Sequence, residues 1–186
     1  MNHIVFQSKC QGYSHIKSDL ECQDSTLVKK TEKYAIAVVA DGHGSASYFR
    51  SSRGSLFATE AAITAIEELL ETILSDKSNM DDFCASIDKH LIQLERSVIA
   101  RWHERVEDDY SKNPFLDSEI LKVDEKHKEK YLKGERIEAA YGSTLIAVAC
   151  TDAFWFGIHI GDGKCITCDY RGNFAEPIPW DEKCFL

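Results

Sequence analysis

The sequence holds no run approaching the ~18–20 consecutive apolar residues that a membrane-spanning helix needs, so no such span is expected. Its opening, Met1-Asn2-His3-Ile4, lacks both a basic segment and an apolar stretch, which speaks against a secretory leader and for a cytoplasmic protein. Positive charge is scarce as well. The chain carries 22 Lys+Arg against 31 Asp+Glu, a formal net charge of −9. That balance excludes a protein held mainly by nucleic-acid phosphates, because such binding rests on basic side chains. Internal repeats and low-complexity tracts are missing too, and with them the solenoid and linker classes.

What remains is a chain of 186 residues, 44% hydrophobic and 28% charged, which predicts one globular domain with a real core over residues 1–186. Its seven cysteines are odd in number and mostly stand in apolar surroundings, as reduced thiols do. Cys165 and Cys168 have C-x-x-C spacing, but no second pair and no histidine at finger spacing accompany them. They lie in a strand-like run that turns them to opposite faces, and no helix N-terminus follows to activate a thiolate. Zinc or redox chemistry is therefore not expected there.

Three blocks follow one another. The first is short strands: His3-Ile4-Val5-Phe6, Thr26-Leu27-Val28, and the nearly all-apolar Tyr34–Ala40, which reads as a strand buried on both faces. The second is helical. Leu56, Ile63, Ile66, Leu70 and Ile73 form one stripe, and Phe83, Ile87, Leu91, Leu94, Val98 and Trp102 a second. A polar break at residues 75–79 separates them, with Asn79 as a candidate cap, so two long antiparallel helices are predicted. Residues 107–136 are rich in charges of both signs and read as a surface excursion with one exposed helical stretch. The third block is an antiparallel meander: Leu145–Cys150, Ala153–Ile160, a hairpin turn at Gly161-Asp162-Gly163, Lys164–Cys168, then Asn173-Phe174. Strands, helices, then strands make an α+β order.

Three carboxylates fall at strand ends, where a sheet can hold them in solvent: Asp24, Asp41 and Asp162. An Asp-Gly turn is also an ordinary hairpin, so Asp162 alone carries little weight. Asp41 says more, because it ends a core strand and is followed by Gly42-His43-Gly44, where backbone carbonyls can approach a ligand. Carboxylate and carbonyl oxygens with room for water suit a hard cation such as Mg²⁺ or Mn²⁺.

The sequence Val38-Val39-Ala40-Asp41-Gly42-His43-Gly44-Ser45 has Cys22-Gln23-Asp24-Ser25 upstream. Downstream stand Tyr141-Gly142-Ser143-Thr144 and Ile160-Gly161-Asp162-Gly163-Lys164. In this order the four segments resemble the metal-dependent protein phosphatase family of the PPM or PP2C type, most of all its bacterial members. The resemblance implies a PP2C-like antiparallel β-sandwich flanked by a long antiparallel helix pair, with two Mn²⁺ or Mg²⁺ ions and a weaker third. It implies hydrolysis of phosphoserine and phosphothreonine in phosphoprotein substrates by a metal-activated water. Asp41 would bridge both ions, Gly42 would offer its carbonyl, Asp24 would hold one ion, and Asp162 would help hold the third. His43 would be the general acid. The sequence departs from the family pattern at Gln23, where Glu is usual, and at the phosphate-gripping arginine, whose nearest substitutes are His15 and Lys17. The family's later metal acids find no counterpart before Leu186. Two functions are accordingly expected: an active phosphatase, or a catalytically silent PPM-like binding module. The second would meet the remainder of its domain, or a second copy, through an uncovered sheet edge.

Overall fold

The computed structural model describes residues 3–178. Four strands form its main sheet: β1 (Ser25–Lys30), β2 (Tyr34–Ala40), β3 (Leu145–Thr151) and β4 (Trp155–Ile160). They lie side by side in the order β1-β2-β3-β4, all antiparallel. β-branched and aromatic residues dominate these runs, and register is fixed because one face is buried: Leu27 opposes Val38, Val38 opposes Ala147, and Ala147 opposes Ile158. A one-residue slip would turn that whole set to solvent.

Helices cover this face. A short α1 (Tyr13–Ser18) precedes the sheet, and α2 (Ser51–Ile73), α3 (Lys77–Ala85) and α4 (Ile87–Lys112) follow β2. The side of α2 that meets the sheet is built from Ala58, Ala61, Ala62, Ala65, Ile66, Leu70 and Ile73. Small side chains let the helix axis approach the strands closely, and the larger ones fill the far end. Of the predicted stripe, Ile66, Leu70 and Ile73 are buried and Ile63 is partly so, whereas Leu56 is 42% exposed because alanines face the sheet at that end of the helix. Ion pairs lace α2 to α4 between Arg53 and Asp109, Glu60 and Arg105, and Glu68 and Arg101, so positions rise along one helix as they fall along the other.

The second helical stripe is interrupted. Ser86 leaves helical geometry at φ −135° and ψ 36°, so Phe83 belongs to α3 while Leu94 and Val98 belong to α4. Asp76, rather than Asn79, caps α3 by accepting from the Ser78 N–H at 2.7 Å. The Asn79 amide instead reaches back to the Thr72 carbonyl.

Residues 107–112 continue α4, and beyond them lie α5 (Asp117–Ile120), α6 (Glu125–Leu132) and a 3-10 turn at Ile137–Tyr141. Most charged positions of this stretch stay at the surface, Asp109 and Glu119 being part-buried. Among its apolar residues, Ile120, Val123, Tyr131, Ala140 and Tyr141 pack with Val106, Phe49 and Phe115 into a second core, while Leu116, Leu121 and Leu132 stay exposed.

Several expected strands differ. Residues 3–12 have no regular structure, and Ile4 and Phe6 are 88% and 85% exposed, for a four-residue run has no partner strand to hold it. β2 is sealed against the helices, but its other face opens toward one end, where Val39 is 47% exposed. The segment Gly161-Asp162-Gly163 is a bend after β4 and closes no hairpin; β5 (Thr167–Cys168) pairs instead with β6 (Phe174–Ala175) in a separate two-stranded sheet. The end of the sequence, residues 179–186, lies outside the described residues. No described helix is long and apolar enough to cross a membrane.

Candidate metal and phosphate site

Antiparallel topology brings four element ends to one edge of the sheet. Asp24 immediately precedes β1, Asp41 follows β2, Thr144 precedes β3 and Asp162 follows β4. They line one open cavity of about 420 Å³, with Lys9, Cys10 and Ile146. The three acids, 138 positions apart at their extremes in the chain, thus line one cavity.

Asp41 is held by its backbone. Its carbonyl accepts from the Thr144 N–H at 2.8 Å and from the Ser143 hydroxyl at 3.1 Å, and its N–H donates to the Thr144 hydroxyl at 3.2 Å. The carboxyl is left free to face the cavity. Burial, then the charge of Asp24 and a hydrogen bond to it, raise the Asp41 pKa above the ordinary aspartate value; His43 opposes the shift and Asp162 adds to it. A divalent cation placed between the two carboxyl groups would relieve this repulsion.

Gly42 pairs with Ser143 as an isolated bridge, and its N–H donates to the Gln23 carbonyl at 3.2 Å. An extended residue sends its carbonyl to the same side as its N–H, here toward the segment that carries Asp24. Glycine is required at this position because an added Cβ would stand 2.6 Å from the Gln23 carbonyl oxygen and 2.7 Å from that of Ser51. The two carboxyls in contact, Asp24 and Asp41, are oxygen donors of the kind a hard cation takes, whereas Gly42 is buried and does not line the cavity. Among the described residues no group of three or more His, Cys, Asp or Glu is close enough to hold a metal ion, so Asp162 stands off from the other two.

His43 is placed elsewhere. Its ring lines a second cavity on the helical side of the sheet, 4.6 Å edge-on from Tyr48, and its buried Nδ1 finds no hydrogen-bond partner. His15 and Lys17 do not enter the acid cavity: they sit on α1, with the Lys17 ammonium over the Tyr13 ring at 5.4 Å. The cation that lines the cavity is Lys9, whose Nζ donates to the Asp24 carbonyl at 3.3 Å. Lys9 went unnoticed in the sequence because nothing in its neighbourhood forms a motif; only its place upstream of Asp24 hints at it. Thr144 was visible within Tyr141-Gly142-Ser143-Thr144, though not its hydrogen bonds to Asp41.

The profile of the protein phosphatase 2C family matches residues 11–183. The chain belongs to the protein phosphatase 2C family. Neither the curated proteins nor the solved structures contain a match. In this protein phosphatase 2C, placing acids at three strand ends gives the sheet a role beyond support: it sets carboxyl spacing without any one loop having to do so.

Proposed function

We propose that this protein phosphatase 2C hydrolyses phosphoserine and phosphothreonine in proteins, using Mn²⁺ or Mg²⁺ at the cavity formed by Asp24, Asp41 and Asp162, with its sheet as one layer of a β-sandwich. The observation that carries this reading is the meeting of Asp24, Asp41 and Asp162 at one cavity, with Asp41 in hydrogen-bonding contact with Asp24. Such a clustering of like charge is costly unless a cation belongs there. Bound divalent ions would lower the pKa of water and neutralise phosphoryl oxygens during in-line attack. On the protein's side, Asp41 and Asp24 would hold the cation. Lys9 would steer the substrate dianion toward the cavity mouth. His43 would donate the proton to the leaving seryl or threonyl oxygen, a role that requires its ring to turn from Tyr48 toward Asp41.

A second reading, a catalytically silent binding module, draws on two observations. Asp162 does not complete a three-acid metal cluster with Asp24 and Asp41, and the His43 ring faces the other cavity. Nitrophenyl phosphate hydrolysis with Mn²⁺, with EDTA, and in Asp41→Asn separates the two. Manganese-dependent turnover lost in both controls supports the phosphatase. A folded chain without turnover supports the module.

A further inference from the structure

We propose that the cavity between α4, α6 and the start of β3 is a binding site for a small amphipathic carboxylate with an apolar body. The inference rests on no part of the phosphatase reading. The cavity holds about 370 Å³, within the ~300–1,000 Å³ range of small-molecule sites. Ala58, Val98, Trp102, Leu145 and Ile160 supply its apolar walls. The Trp102 indole N–H already donates to the Gly54 carbonyl at 3.0 Å and the Tyr131 hydroxyl to the Ser47 carbonyl at 2.9 Å, while the unpartnered Nδ1 of His43 is a polar point in the wall. An occupant therefore meets mostly hydrocarbon and aromatic surface inside, which selects an apolar body.

The lining also carries Lys130 and Arg136 against a single carboxylate, Glu138, with His103 and His127 beside them. This is a cationic patch on a chain of formal net charge −9. Lys130 makes no ion pair among the described residues, whereas Lys128 and Lys133 of the same segment pair with Glu125 and Glu129. Arg136 has φ 55° and ψ 42°, a left-handed conformation uncommon for a residue with a Cβ, and is 3.8 Å from Glu138. Strain of this kind collects at ligand-binding positions. An apolar interior beneath the unpaired Lys130 and the loosely paired Arg136 is complementary to one acidic head on a hydrocarbon body. The far end of the described chain does not fill the cavity: Ile178 lies beside Gly157 and Val148, on the opposite face of the sheet.

Trp102 in the wall gives a local readout. Terminally brominated undecanoate, added to the full chain below its micelle concentration, should quench tryptophan emission saturably, and decanoate should reverse the quench. Trp102→Phe should remove most of it, leaving only what Trp155 and Trp180 contribute. The double variant Lys130→Glu, Arg136→Glu should weaken binding about tenfold or more, a loss of ~1.4 kcal/mol. Both side chains are exposed, and an unchanged circular dichroism spectrum would show the fold retained. Absence of saturable quenching, equal binding of decyltrimethylammonium, or unchanged affinity in the folded double variant would each overturn the proposal.

Discussion

At the scale of single residues, Asp41 is the most informative position. Burial and the neighbouring Asp24 raise its pKa in the folded chain, so the stabilising balance is present below the ordinary aspartate pKa and is lost as pH rises through the raised value. At neutral pH the ionised Asp41 therefore works against the metal-free fold. Asp41→Asn should raise the thermal midpoint in EDTA while removing any rise produced by Mn²⁺. A lowered midpoint in EDTA would contradict the like-charge account. His43 carries a separate prediction. His43→Ala should slow hydrolysis of alkyl phosphate esters by about 10²–10⁴-fold, the usual range for general acid catalysis. Nitrophenyl phosphate should suffer far less, since its leaving group needs no proton. Equal losses on both substrates would remove His43 from that role.

At the scale of elements, the segment between α4 and β3 is held by one buried cation. The Arg50 guanidinium, 5% exposed, donates to both carboxylate oxygens of Glu119 at 3.0 Å, to the Asn113 and Pro114 carbonyls, and to the Tyr141 hydroxyl. Tyr141 in turn donates to Asp109 at 2.7 Å, and burial together with that bond pushes its phenol up to about 12. Burial alone would raise the carboxyls of Glu119 and Asp109, but their partners prevail. Arg50 lowers Glu119; Tyr141 and Arg53 lower Asp109. Depressed carboxyls give stability above their unfolded pKa that is lost as pH falls through their folded values. Acid should thus loosen the α5 region before it melts the sheet, and backbone amide exchange of residues 113–123 across an acid titration would reveal this order. Arg50→Met should cost about 3–5 kcal/mol in denaturant unfolding, because it strands the part-buried Glu119 carboxylate and the Asn113 and Pro114 carbonyls. Gly54 is a second element-scale constraint. An added Cβ would stand 1.7 Å from the Tyr141 carbonyl oxygen, so Gly54→Ala should force α2 away from the 3-10 turn and lower the midpoint markedly.

At the scale of the molecule, the parts legible in the sequence are those set by local patterning. β1, β2, β3 and β4 stand close to where the apolar runs put them, since each run is long enough to show its face. The four motifs likewise point to one end of the sheet, as antiparallel pairing requires. Illegible were features decided by tertiary contact. The alanine face of α2 is a weak apolar stripe that only a close strand surface makes favourable. The break at Ser86 leaves the helical period of its neighbours intact. The second core under residues 107–136 is built from a few apolar residues scattered among many charges, where composition hides them. The site shows the same division. Asp24, Asp41 and Asp162 were readable because each follows or precedes a strand, whereas Lys9 reaches the cavity from a stretch without regular structure.

The central claim is that the acid cavity is a divalent-cation site, and a Mn²⁺ binding isotherm tests it most directly. Wild-type protein should bind Mn²⁺, Asp41→Asn should lose that binding, and Asp169→Asn, which alters an acid outside the cavity, should keep it. Indistinguishable isotherms for wild type and Asp41→Asn, both folded, would contradict the account.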